Sequence, residues 1–367
     1  MQNNRKKVTM RDIAGRLGVS LTTVQRALSG TGMVSSSTSQ IIRQTARDMG
    51  YHLERLSPGL IERPVRIAVL LRNVAPEFQG MIEEGINTAL FELSGRQVSG
   101  KIIRIEPQDY ARSLQEQLLR ISEEGFDGVI FYTGKAITEQ ELAITEHLRE
   151  RSVRMATIYT DQGVEESYME FSVMPDAEMA GRIAAELLSM KGLGPGSRAA
   201  IFLGQKEFPL HRNYLEGFTS GCRSAGIQVA DVVEHRDDAR IAYYAADQLL
   251  MEMPDLNAIY CCTGVTAPIC CRVRELELQE RITVIGTEIL DQTAAYLRDG
   301  TLSAVLFMDP FRMGYEAVRN LYYVISGLRP VEKRIMITPQ IVIRANLDRY
   351  EKRPDPAAEP QRPDLAD

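Results

Sequence analysis

The chain has 367 residues, a formal net charge of −6, 44% hydrophobic and 25% charged residues, the profile of a water-soluble globular protein of two or three domains. No apolar run approaches the roughly 20 residues of a membrane span. The opening MQNNRKKVTMRDIA is basic but lacks the apolar stretch of a secretory signal, so a cytoplasmic protein without membrane contact is expected. The five cysteines make no disulfide framework. Cys261-Cys262 and Cys270-Cys271, with no histidine near them, read as buried small hydrophobes rather than metal ligands.

In residues 8–30, Ile13, Ala14 and Leu17 share one helical face, Gly18 and Val19 make a tight turn, and Ser20 caps a second helix carrying Val24, Ala27 and Leu28. Helix, short glycine-bearing turn, helix is the pattern that lays its second helix in a DNA major groove. Thr9 with Asp12 fits the capping box of the first helix. A wing-like loop, Gly30 to Met33, and a polar run from Ser35 lead to a third helix with Ile41, Ile42, Thr45, Ala46 and Met49 at helical spacing. Residues 1–56 hold nine Lys or Arg against three acids, near +6, which leaves the remainder near −12. That asymmetry puts an electrostatic footprint for phosphates on one small end of an acidic protein. The headpiece is placed at 1–57 and a linker at 58–65, within a Pro- and Gly-bearing connector, Tyr51 to Pro64.

From Val65 short apolar strands alternate with amphipathic helices. Strands are predicted at 66–71, 102–106, 128–132, 153–159, 198–203, 228–233, 258–262, 282–287 and 303–307, with helices between them. About ten βα units exceed one open sheet, so the fold class is α/β with two doubly wound parallel-sheet subdomains, and the cleft between them is the natural pocket. This body is placed at 66–347, its first subdomain at about 66–162 and 304–326 and its second at about 174–291 and 338–347. Chain crossings are expected near 162–174, 291–303 and 326–338. The Pro-rich acidic end, 348–367, reads as a disordered tail without apolar heptads.

Headpiece and body together resemble the LacI/GalR family of bacterial transcription regulators over residues 8 to about 347. The resemblance is carried by VTMRDIAGRLGVSLTTVQRALSG, a following VS, and Gly50-Tyr51. Weaker matches are Val173 to Arg182, His211 to Phe218, Val284 to Glu288, and residues 300–318, which resemble the closing segment of periplasmic sugar-binding proteins. The resemblance implies a homodimer reading a near-palindromic operator on double-stranded DNA, with a clamshell body binding a small effector, commonly a sugar or purine. It puts Leu21 and Thr22 at the base-reading positions that open the recognition helix, with Gln25 and Arg26 one turn later. Arg can contact guanine bidentately and Gln adenine. Leu21 offers apolar contact to a thymine methyl or packs on the first helix, and both readings stay open. Thr9, Ser20, Thr23, Ser29, Ser35 and Thr38 are placed for phosphates. Leu60 falls at the family's minor-groove wedge, but Pro58 and Gly59 oppose a hinge helix there.

In the cleft, the resemblance puts Arg212 where forked donors anchor an effector, the alternative being a surface arginine at a helix start. Glu288 stands in place of the family's usual aspartate, and Met308 where sugar-binding relatives often carry glutamine. Phe78 either stacks on a sugar face or packs in the core. Tyr132, Asp161 and Thr263 lie in strand-end loops. No G-x-S-x-G, P-loop or H-E-x-x-H occurs and the four histidines show no metal spacing, so neither enzyme chemistry nor a cofactor is expected. The function implied is a transcription regulator, a repressor of a carbohydrate operon. An effector-dependent activator or co-repressed regulator is the alternative, and a sugar-modifying enzyme with a basic domain a distant one.

Overall fold

A computed structural model describes residues 8–29, 36–49, 64–72, 76–106, 110–132, 139–159 and 169–350. The wing-like loop, Ser35, the connector with Leu60, Asp161 and the tail from 351 lie outside the described residues.

Three helices form the headpiece: α1 (Met10–Leu17), α2 (Leu21–Ser29) and α3 (Ser36–Asp48). The Asp12 carboxylate accepts from the Thr9 N–H at 2.7 Å while the Thr9 hydroxyl accepts from the Asp12 N–H at 3.4 Å, closing the capping box. Gly18 ends α1 at φ 65°, a left-handed turn natural to glycine. Ser20 Oγ accepts from the Thr23 N–H at 3.0 Å and so starts α2. Ile13, Val24 and Ile42, one from each helix, are fully buried together. Each such side chain contributes roughly 1.5–3 kcal/mol by leaving water.

The body begins with β1 (Val65–Arg72), α4 (Pro76–Leu93), β2 (Val98–Ile105), α5 (Tyr110–Glu123), β3 (Gly128–Tyr132), α6 (Glu139–Glu150), β4 (Arg154–Ile158) and β5 (Met169–Pro175). Then come α7 (Ala177–Met190), β6 (Arg198–Leu203), α8 (Pro209–Ala225), β7 (Gln228–Glu234), α9 (Ala239–Glu252), β8 (Ala258–Cys261), α10 (Thr266–Glu275), β9 (Thr283–Thr287), α11 (Asp291–Asp299) and β10 (Leu302–Phe307). The chain closes with α12 (Pro310–Ser326), β11 (Arg334–Ile337) and β12 (Gln340–Val342). One sheet has the order β11-β5-β4-β3-β1-β2, the other β12-β10-β9-β8-β6-β7. Every pairing is parallel except β12 with β10. Helices cover both faces, which is why Ile67 to Leu70 are buried without a break rather than alternating.

Two expected crossings move. The strand β5 was not anticipated, because Glu170, Ser172 and Pro175 give the segment the composition of a connection. It pairs with β4 on one side and β11 on the other, which buries Ser172 completely, so the first crossing falls at Asp176, after 162–174. The second expected crossing, 291–303, would put β10 in the first subdomain. Instead β10 lies parallel to β9 and antiparallel to β12, and the chain crosses at Met308-Asp309. The helix that changes lobe is α12, which seats against α4 because Gly85 and Gly314 let the two backbones touch. A Cβ at Gly85 would strike the Phe311 carbonyl, and one at Gly314 the Ile82 carbonyl. The third crossing, between β11 and β12, lies at 338–339, at the end of the expected window. A smaller shift is at β2, which starts at Val98 rather than 102. As an edge strand it exposes Ser99, Gly100 and Lys101 and so lacks an apolar start.

Candidate functional site

On the headpiece, α2 turns Val24 and Ala27 into the core and leaves Thr22 and Arg26 outside. Leu21 is 40% exposed and lies outside the headpiece core cluster. The Thr9, Ser20 and Thr23 hydroxyls all serve the helix starts, Ser20 Oγ lying 2.8 Å from Thr23 Oγ1. Thr38 is half-buried on α3. The Gln25 and Ser29 side chains lie outside the described set.

In the body, the carboxyl ends of the strands from both sheets meet. From the first lobe come Arg72 at the end of β1, Tyr132 at the end of β3, Tyr159 just past β4, and Phe78 on α4. Phe78 and Tyr132 flank Tyr159 with ring centroids 5.6 and 5.5 Å away, a three-ring shelf. From the second lobe come Thr263 after β8, Glu288 after β9, and Met308 and Asp309 after β10. Tyr159, Glu288 and Asp309 all hold left-handed backbones, at φ 73°, 66° and 53°, unusual for non-glycine residues. Strain of this kind is held only where surrounding structure fixes it, and it gathers at functional sites.

Glu288 is the centre of the arrangement. It is 5% exposed, and its Oε2 has no hydrogen-bond partner; the Tyr159 hydroxyl, also buried, has none either. Burial first, and then the neighbouring Asp309 carboxylate, push the Glu288 carboxyl up to about 8, while a Met308 backbone hydrogen bond works the other way. Asp309 is itself raised by burial, although its Oδ1 caps α12 by accepting from the Arg312 N–H at 3.0 Å. Tyr159 is held well above the ordinary phenol range by burial and then by the charge of Glu288.

Beside this lies a second polar group. His235 Nδ1 accepts from the Asp237 N–H at 3.1 Å, which leaves the proton on Nε2 to point at Thr263 Oγ1, 3.2 Å away. Burial lowers the pKa of both His235 and His211, keeping the rings neutral. Thr263 is thus oriented by His235 rather than free to turn.

The sequence-predicted residues divide. Phe78, Tyr132, Thr263 and Glu288 come to the strand ends. Met308 is there too, but its side chain is 1% exposed in the core and only its backbone faces the site. Arg212, on α8, is exposed and donates to the Lys206 and Glu207 carbonyls at 3.3 and 3.0 Å. No ion pair joins Arg212 to Glu288 among the described residues. Tyr159, Asp309 and His235 were missed. An aromatic closing the strand VRMATIY and an Asp immediately before Pro310, a helix-start signal, were the cues available.

Residues 67–329 match the periplasmic binding protein domain, and residues 9–53 match the bacterial regulatory proteins of the lacI family. The chain is 25% identical over 350 residues to the HTH-type transcriptional regulator DegA of Bacillus subtilis, covering 92% of this chain and 97% of that one. It is 22% identical over 354 residues to the HTH-type transcriptional repressor PurR of Photobacterium profundum, covering 92% and 98%. Among solved structures, the glucose-galactose binding protein GanP of Geobacillus stearothermophilus superposes with a TM-score of 0.67 at 21% identity, over 78% of this chain and 99% of that one. A solute binding protein of Burkholderia graminis in complex with D-arabinose does so at 0.69 and 19% identity, over 81% and 100%. No helix among the described residues is long and apolar enough to cross a membrane.

Proposed function

This chain belongs to the periplasmic binding protein domain family and carries the lacI-family helix-turn-helix domain at its N-terminus, and from that premise we propose that it is a DNA-binding repressor of a carbohydrate catabolic operon. Its relatives along nearly the whole chain are HTH-type transcriptional regulators and repressors. The α2 helix enters the major groove with Leu21, Thr22, Gln25 and Arg26 toward the bases. Thr9, Ser20, Thr23, Ser29, Ser35 and Thr38 lie along the phosphates, and Leu60 meets the minor groove.

The effector is a sugar or sugar derivative held between the lobes, against Phe78, Tyr132, Thr263 and Glu288 with the Met308 backbone behind, and Asp161 and Arg212 are further contacts for it. The observation that carries this reading is the buried Glu288 carboxyl, its Oε2 unpartnered, at the meeting of strand ends from two sheets. The D-arabinose of the Burkholderia graminis protein and the D-allose of the Actinobacillus succinogenes one support a sugar. Two copies pair to read two half-sites. An apolar row on the outer face of α9, with Ile241 42%, Tyr244 63% and Met251 69% exposed, supports such pairing. Effector binding changes the closure of the lobes, and with it the spacing of the headpieces, a coupling free energy between two sites. A titration of an inverted-repeat duplex, with and without sugars, tests it. Operator affinity that no sugar or sugar derivative alters would overturn the sensor half of the proposal.

A further inference from the structure

Glu288 has no cationic partner among the described residues. A second carboxylate, Asp309, stands beside it, and the other groups near enough for their charges to act with it are the phenols of Tyr159, Tyr214 and Tyr260. Tyr159 comes from the end of β4, Tyr214 from α8, Tyr260 from β8 and Asp309 from the β10–α12 junction; burial keeps the three phenols neutral, and Asp309 is the carboxylate beside Glu288. Asp176, capping α7, and Cys262, after β8, also act on Tyr214, and burial keeps the Cys262 thiol neutral. Arg72, from the opposite lobe, is engaged with Tyr132, and Arg312, on α12, acts on Asp309, whose Oδ2 also accepts from Gln340 Nε2 at 3.3 Å. No salt bridge includes Glu288 among the described residues. Buried oxygens without hydrogen-bond partners, Glu288 Oε2 and the Tyr159 and Tyr260 hydroxyls among them, gather here, and the Phe78, Tyr159 and Tyr132 rings pack against one another at the same strand ends.

A neutral sugar would give hydroxyl partners to Glu288 but would bring no charge to balance it once it ionises in its buried place. An ammonium group would donate to Glu288 and the Tyr159 hydroxyl, cancel the charge, and lie against ring faces that attract cations.

We propose that the effector is an amine-bearing sugar or polyol whose ammonium group is received by Glu288 with Asp309 behind it and the Phe78–Tyr159–Tyr132 shelf in front. This rests on the reading of the cleft as the effector site. Binding converts the neutral Glu288 acid to a carboxylate paired with the incoming cation and releases its proton to solvent.

The test is calorimetric titration of the full chain with glucamine and glucosamine against their neutral counterparts sorbitol and glucose. For glucamine, whose aliphatic amine stays protonated, affinity rises about tenfold per pH unit between about pH 6 and pH 8, as expected when a proton must leave. The heat varies with the ionisation enthalpy of the buffer. The Glu288→Gln chain, which keeps the shape of the neutral acid, loses glucamine affinity more than about tenfold while its melting transition stays cooperative. Sorbitol or glucose binding more tightly than the amines, with affinity that falls above about pH 8, would overturn the ammonium assignment and leave the cleft reading standing. Failure of all four probes would count against both.

Discussion

The Glu77 carboxylate, at the start of α4 in the first lobe, accepts a 3.0 Å hydrogen bond from the backbone N–H of Asp291, the first residue of α11 in the second lobe. A carboxylate at a helix N-terminus is favoured by the exposed N–H groups there. One turn further along α4, Met81 packs against the hydrophobic core of the second lobe. The two lobes are therefore latched across the cleft mouth, and the latch is the contact that opening must break. Removing it with Glu77→Ala lowers effector affinity by roughly three- to tenfold, the worth of one hydrogen bond. Operator affinity without effector stays unchanged. Calorimetric titration checks the first and fluorescence anisotropy the second; unchanged effector affinity would mean the contact does not report closure.

Glu288 has a stability signature of its own. Its carboxyl is raised from the ordinary 4.5 to about 8 in the folded chain, so between those values the folded state holds a proton the unfolded state has lost. Stability from this group is full below 4.5 and is lost as pH rises through about 8. Glu288→Gln removes the dependence. Relative to the parent it gains on the order of 3 kcal/mol at neutral pH and little at pH about 4.5, by the usual conversion of pKa shift to energy. Denaturant melts at several pH values check it. A parent and variant whose stability difference is flat with pH would contradict the burial argument.

His235 and His211 act in the opposite direction. Burial lowers both, so the unfolded chain binds protons more readily, and stability falls as pH drops below the unfolded histidine range of about 6.5. His235→Gln, which can still donate to Thr263, flattens part of that acid slope. Melting curves between about pH 5 and pH 7.5 read it out, and an unchanged slope would show that His235 takes its proton as easily folded as unfolded.

The headpiece separates packing from reading. Ile42→Ala, at a fully buried position, costs about 2–5 kcal/mol of headpiece stability, visible as earlier loss of α1–α3 helicity. Arg26→Ala leaves the fold alone, since Arg26 is exposed. It costs about 1–3 kcal/mol on the specific site and less on random duplex. Equal losses on both duplexes would make Arg26 a phosphate contact.

What the sequence made legible follows from how local each signal is. The capping box of Thr9 and Asp12, the Gly18 turn and the Ser20 cap are each set within four residues, and each is found in the fold. Central strands such as IAVLL are apolar because both faces are covered, and they too were legible. The crossings were not. The lobe to which β10 belongs is decided by its pairing with β9 and β12, and α12 seats on the other lobe through the close approaches of Gly85 to Phe311 and of Gly314 to Ile82, which join residues over two hundred positions apart. The site shows the same limit. Glu288 stood out by its motif, while Tyr159 and Asp309 gain their meaning only from burial beside it. Arg212 was singled out by motif alone, and its guanidinium is tied to its own loop.

The most direct test is competition fluorescence anisotropy of the full chain on an inverted-repeat operator duplex and its scrambled counterpart, with and without an effector that calorimetry shows to bind. The account predicts at least about a thousandfold preference for the inverted repeat, an affinity that falls steeply with salt, and a shift of tenfold or more on adding effector. Equal affinity for both duplexes, unchanged by effector, would contradict it.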